Sequence, residues 1–124
     1  MEDKDPILNN EISPVQWTLV IKSPHYLAYR FWLKPPGGEW TELVEGTSED
    51  GIADFGDFAA VQGTEFYYSM GIGSTHPNSK FDVAIVMTQD NVVIENGIIQ
   101  KQGKVDSNGV AARNGQVTFT TRVQ

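Results

Sequence analysis

The chain of 124 residues contains 40% hydrophobic and 20% charged residues, an ordinary balance for one globular domain with a core of its own. It has no cysteine, which excludes disulfides and thiolate metal sites. The formal net charge of −7 argues against nucleic acid as a partner, because an acidic surface repels phosphate and no basic stripe is present.

No apolar run approaches the length of a membrane span, so we expect none. The N-terminus, Met1–Pro6, lacks the basic and then apolar pattern of a signal peptide. For a complete chain we therefore expect a cytoplasmic protein, or one exported without a conventional signal.

Residues 1–13 are polar, contain proline and show no periodicity, so they predict a flexible N-terminal arm. Ile7, Leu8 and Ile12 leave the alternative that the arm docks along a sheet edge. Residues 14–124 predict a single β-sandwich domain.

Alternating apolar residues predict two long strands, 15–22 and 27–34. The second strand is followed by Pro-Pro-Gly-Gly at 35–38, which predicts a turn into a third strand at 39–45. The inward faces of the first two strands are expected to carry Val15, Trp17, Leu19 and Ile21, and Leu27, Tyr29, Phe31 and Leu33.

The second half of the chain continues as short strands. Residues 46–63 predict a long acidic connection with a short strand at 52–58, and further strands are expected at 64–72, near 81–87 and at 116–123. Tight hairpins are predicted at Asp90-Asn91, Asn96-Gly97, Asn108-Gly109 and Asn114-Gly115. About seven to nine short strands without a helix indicate an all-β, antiparallel β-sandwich.

The segment Tyr29-Arg30-Phe31-Trp32 through Gly37-Gly38-Glu39-Trp40-Thr41 resembles parts of bacterial immunoglobulin-like and fibronectin type III-like domains. It is also similar to starch-binding modules, in which a strand, a Gly-Gly turn and a Trp-Thr strand recur. The chain departs from true immunoglobulin domains because it lacks their cysteine pair. The resemblance implies an immunoglobulin- or fibronectin III-like sandwich and a binding module.

Trp32 is the residue that alternation places on a polar face, together with Arg30 and Lys34. It is a candidate for stacking against a sugar ring or for anchoring a protein interface, and Trp40 and Tyr67 join it if their strands present the same face. The structural alternative is that Trp32 packs under the N-terminal arm or in a second layer.

Four acids in the long connection, Glu49, Asp50, Asp54 and Asp57, form a candidate calcium site. Their spacing does not match an EF-hand, and a solvated acidic loop is the alternative. The histidines, His25 and His76, are isolated and do not indicate a zinc site. We expect no cofactor apart from this calcium candidate.

These patterns favour a non-enzymatic binding module that recognises a carbohydrate or a protein surface through exposed aromatics. No serine elbow or paired nucleophile indicates an enzyme. The alternative function is a structural or assembly protein, a homo-oligomer that associates through strand faces or edges.

Overall fold

A computed structural model describes residues 3–22, 26–49 and 54–122. Within these ranges the chain forms ten strands and no helix. In chain order they are β1 (Ile7–Leu8), β2 (Val15–Lys22), β3 (Tyr26–Lys34), β4 (Thr41–Glu49), β5 (Asp54–Phe58), β6 (Glu65–Gly73), β7 (Lys80–Gln89), β8 (Val92–Lys104), β9 (Val110–Thr118) and β10 (Thr120–Thr121).

The strands form two sheets that pack into a β-sandwich. The six-stranded sheet has the order β10-β1-β8-β7-β2-β5, and the four-stranded sheet has the order β4-β3-β6-β9. Neighbouring strands are antiparallel, except that β1 pairs with β10 in parallel. The predicted all-β, antiparallel sandwich is confirmed at this level.

The core lies between the inner faces of the two sheets, where the alternation of β2 and β3 places their apolar residues. Trp17 is only 3% exposed, and its ring meets Phe31 at 5.1 Å between ring centroids. Phe31 in turn lies 5.1 Å from Phe66 of β6. The expected inward residues of β2 are all buried, as are those of β3 apart from Leu33, which is partly buried against the core.

Two tyrosines close the two long sides of the sandwich. Tyr29 lies opposite Gly46 of the edge strand β4, and its hydroxyl donates a hydrogen bond of 2.8 Å to Asp54 of the other sheet. Tyr68 lies opposite Gly115 of the edge strand β9 and donates to Asp3. In each case the glycine leaves the space that the phenol ring needs to pass over the edge strand.

The N-terminal segment differs from the flexible arm that its composition predicts. Ile7–Leu8 forms β1 between β8 and β10, and Leu8 is buried in the core. Gln89, itself buried, accepts from the backbone of Asn9 at 2.7 Å and donates to the carbonyl of Asn10 at 2.9 Å. The described part of the segment is therefore docked along the sheet, because burial of Leu8 and these hydrogen bonds offset the cost of ordering it.

The acidic connection is shorter than expected. β4 continues to Glu49, and β5 begins at Asp54, so half of residues 46–63 pair with neighbouring strands as parts of two edge strands. Residues 23–25, where the sequence predicted a corner and where His25 lies, are outside the described residues.

One of the four predicted hairpins forms as expected. Asp90 and Asn91 have positive φ angles of 52° and 67° and join β7 to β8. The other three sites are corrections. Asn96-Gly97 lies inside β8, Asn108-Gly109 connects β8 of one sheet to β9 of the other, and Asn114-Gly115 lies inside β9.

Candidate binding face

An aromatic cluster lies on the outer face of the four-stranded sheet, and we call its members, Trp32, Trp40 and Tyr67, the aromatic platform. Trp32 of β3 and Tyr67 of β6 are direct cross-strand partners, with ring centroids 5.2 Å apart. Trp40 lies 6.5 Å from Tyr67, almost perpendicular to it at 79°. Such tilted and edge-on contacts are favourable arrangements for aromatic pairs.

The turn after β3 explains how Trp40 reaches this face. The backbone N–H of Gly38 donates to the carbonyl of Pro35 at 2.9 Å, and Gly37 has a φ of 73° that favours glycine. The turn folds the chain back so that Trp40, just before β4, meets Tyr67. Trp40 is 41% exposed, whereas Trp32 and Tyr67 are half-buried.

A β-bulge places two glutamates beside the platform. Phe31 pairs with Val44 but Trp32 pairs with Glu42, so Leu43 is an extra residue in β4. Glu42 and Glu45, three positions apart, would lie on opposite faces of a regular strand. The bulge brings both glutamates to Arg30. The Nε of Arg30 lies 3.0 Å from Glu42, and its Nη2 donates to Glu45.

Arg30 and Lys34 of this face are both ion-paired, and Arg30 also lies near a ring. The Arg30 guanidinium lies 5.6 Å from the centroid of Trp32 and is also ion-paired with the two glutamates. Lys34 lies 3.3 Å from Glu65, which also accepts a hydrogen bond of 3.0 Å from Gln116. The platform is thus an apolar surface rimmed by side chains with hydrogen-bonding capacity.

A shallow depression of 480 Å³ adjoins Trp32. Small residues form its floor, since Ala28, Ser69 and Gly71 follow one another on the outer face of β3 and β6. A Cβ atom added to Gly71 would meet no atom within 4 Å, which shows how open this part of the face is. Its outline is completed by Arg30, Glu45 and Thr47.

The structure brings together the five residues that the sequence nominated: Arg30, Trp32, Lys34, Trp40 and Tyr67. The alternation of residues along the strands did not indicate Glu42, Glu45 and Gln116. The glutamates depend on the bulge, and Gln116 depends on the pairing of β9 with β6. A strand pattern shows the face of a residue and not its cross-strand neighbour.

The candidate calcium site is not assembled by the acids that the structure describes. Asp54 and Asp57 lie three residues apart in β5, so they point to opposite faces, and Asp54 accepts the hydroxyl of Tyr29. Asp50 and the side chain of Glu49 lie outside the described part of the chain. Among the described side chains, no group of three or more His, Asp or Glu residues is arranged to hold a metal ion.

His76, the histidine that the structure describes, lies in the exposed loop between β6 and β7. Its Nδ1 is 3.1 Å from the hydroxyl of Thr75, and its backbone N–H donates to Ser74 at 3.0 Å. These are contacts local to the loop.

Within the described ranges no helix has the length and apolar character needed to cross a membrane. No protein-family model matches the chain, and neither the curated proteins nor the solved structures contain a match to it.

Proposed function

We propose that the protein is a non-enzymatic binding module, an immunoglobulin- or fibronectin III-like sandwich that recognises a carbohydrate through the aromatic platform. The observation that carries the proposal is the contact of three aromatic rings on an outer sheet face, with Trp40 41% exposed. Outer faces of sandwich strands are ordinarily polar, so an aromatic cluster there requires a reason.

A sugar ring fits this surface better than a protein does. The rings offer an apolar surface for the C–H face of a sugar, and Arg30, Glu42, Glu45 and Gln116 surround it with donors and acceptors for hydroxyl groups. The depression beside Trp32 provides room for a neighbouring sugar unit. A protein anchor would be expected to enter a deep, fully desolvated pocket, and this face is open and shallow.

The competing proposal is that the same rings are the core of an assembly interface. Exposed aromatic residues are enriched at protein interfaces, so this alternative explains the platform with different partners. The two proposals differ in the expected effect of Trp32→Ala, which is loss of glycan binding under the first and a fall in molar mass under the second.

The test is glycan-array binding and light scattering of Trp32→Ala and Tyr67→Ala beside the unaltered protein. We expect both variants to lose glycan retention while they stay folded and their molar mass stays the same, with a lower melting temperature because the cross-strand ring contact is lost. Tyr26→Ala is the matched control, because Tyr26 is an exposed aromatic on the same strand face, about 20 Å from Trp32 along β3. Full retention by Trp32→Ala, or a fall in molar mass, contradicts the carbohydrate proposal, and the latter outcome supports assembly.

A further inference from the structure

The outer face of the four-stranded sheet is stepped, with large side chains in one cross-strand row and small ones two rows away. In order, the three rows are Glu42–Trp32–Tyr67–Gln116, Glu45–Arg30–Ser69–Asn114 and Thr47–Ala28–Gly71–Ala112. We call them the platform row, the middle row and the floor row. Ala28 of the floor row is four residues from Trp32 along β3, which corresponds to about 14 Å.

The depression beside Trp32 extends from the platform row to the floor row. Its volume is 480 Å³, and residues of all three rows line it. Ala28 and Gly71 keep its floor low, and a Cβ atom added to Gly71 would meet no atom within 4 Å. The aromatic platform and the depression therefore form one continuous surface that is longer than a single sugar ring.

Two hydroxyl groups in the depression are available to a ligand. Ser69 and Thr47 line it, and neither hydroxyl makes a hydrogen bond to another residue that the structure describes. Arg30 and Glu45, which also line the depression, are by contrast bonded to each other. A hydroxyl group can donate one hydrogen bond and accept two, so Ser69 and Thr47 match the hydroxyl groups of a sugar.

The charge of the three rows disfavours an acidic ligand. Their cationic side chain is Arg30, and it is ion-paired with both Glu42 and Glu45. The two glutamates leave one negative charge in excess, and their side chains are about half exposed. A carboxylated or sulfated sugar on these rows would meet carboxylates and would find the arginine already occupied.

We infer that the ligand is a neutral oligosaccharide chain that runs along β3 and β6, from the aromatic platform into the depression. This inference rests on the proposed carbohydrate function. One sugar unit stacks on the rings of Trp32 and Tyr67, and a following unit enters the depression and bonds Ser69 and Thr47. Gly71 determines the length of chain that fits, because a larger side chain there would take the space of the second unit.

The two parts of the surface make affinity depend on chain length. A single sugar occupies the platform alone, whereas a longer chain also reaches Ser69 and Thr47. Two additional hydrogen bonds of ordinary net strength correspond to a gain in affinity of at least about tenfold.

NMR titration with neutral gluco-, manno- and xylooligosaccharides, from single sugars to hexasaccharides, tests this dependence. Gly71→Leu fills the depression, so it should remove the gain of the longer chains and leave the affinity for single sugars unchanged. Gly73→Leu is the matched control. Gly73 lies on the same strand and face, its added Cβ also meets no atom within 4 Å, and it does not line the depression.

Equal affinities for single sugars and hexasaccharides would overturn the inference, and so would a Gly71→Leu variant that keeps the full gain. Loss of the gain in Gly73→Leu to the same degree would overturn it as well. The melting temperature of each variant shows whether it is folded.

The preference for neutral chains is tested with uronic acid oligosaccharides of the same lengths. They should bind at least about tenfold more weakly, and equal binding would overturn this preference. Trp32→Ala should abolish binding at every chain length, so loss of the depression and loss of the platform give different results. If no oligosaccharide binds the unaltered protein, the proposed function fails, and this inference fails with it.

Discussion

The Tyr29 hydroxyl donates a hydrogen bond of 2.8 Å to Asp54 and so connects β3 of the four-stranded sheet to β5 of the six-stranded sheet. Tyr68 makes the equivalent connection on the other long side of the sandwich, to Asp3. Asp3 is also paired with Lys101 of β8 at 2.8 Å. Each open side of the core is thus closed by one phenol ring and one carboxylate.

Tyr29→Phe is expected to lower the free energy of unfolding by about 1 to 2 kcal/mol, because a partly buried carboxylate loses its donor. Urea unfolding measures the change, and Asp54→Asn with the double variant completes a mutant cycle. The coupling should reach at least about 0.5 kcal/mol. Strictly additive single effects would show that the hydrogen bond does not stabilise the fold. Tyr26→Phe, at an exposed position, is the control and should change little.

Alkaline pH should destabilise the protein through the same group. The pKa of Tyr29 is raised to about 12. The largest cause is burial of the phenol, followed by the hydrogen bond to Asp54 and by the negative charge of Asp54. Because the unfolded chain has a tyrosine pKa near 10, it loses the proton first as pH rises. The stabilisation is therefore complete below about pH 10 and is lost between about pH 10 and about pH 12.

The pKa of Tyr68 is raised as well. Burial of the phenol is the largest cause, followed by its hydrogen bond to Asp3 and by the negative charge of Asp3. The check is urea unfolding at a series of pH values for the unaltered protein and for Tyr29→Phe. The variant should lose less stability above about pH 10. Parallel curves for the two proteins would contradict this assignment.

Gly56→Ala should destabilise the fold by about 1 to 3 kcal/mol, because the added Cβ would lie 2.8 Å from the Trp17 indole. Trp17 is 3% exposed and enclosed by the core, so it cannot move aside without cost. Gly71→Ala is the matched control, since its Cβ meets no atom within 4 Å. Thermal and urea unfolding should separate the two variants. Equal effects would mean that glycine is needed for the strand backbone in general.

Calcium is expected to leave the melting temperature unchanged. Asp54 is engaged by Tyr29, and Asp57 points to the opposite face of β5, so these two acids do not converge. Melting curves with added calcium and with a chelator provide the measurement. An upward shift with calcium would reveal a site that includes residues outside the described part of the chain.

The inner and outer faces of the strands could be predicted from the sequence because apolar and polar residues alternate regularly along them. Trp17 and Phe31 were placed in the core by alternation alone, and both are buried. The same pattern placed Trp32 on the outer face beside Arg30 and Lys34. The contact of Tyr67 with Trp32 could not be predicted in this way. It depends on the register of β3 with β6, which local sequence patterns do not determine.

The turns were less predictable because Asn-Gly pairs serve several purposes. Asn96 has a φ of 59° inside β8, near the point where the register of β7 and β8 shifts. Gly115 is inside β9 because Tyr68 lies across it, and an added Cβ would be 2.5 Å from the phenol oxygen. A glycine that makes space for an aromatic ring looks, in sequence, like a glycine that makes a turn.

The most direct test of the aromatic platform uses the three indole N–H resonances of the protein, from Trp17, Trp32 and Trp40. Titration with neutral oligosaccharides, followed by ¹H–¹⁵N NMR, should shift Trp32 and Trp40 with one common dissociation constant. Trp17, buried between the sheets, is the internal reference and should not move. Unchanged resonances of Trp32 and Trp40 across a panel of glycans that covers the major neutral sugars would contradict the proposed function.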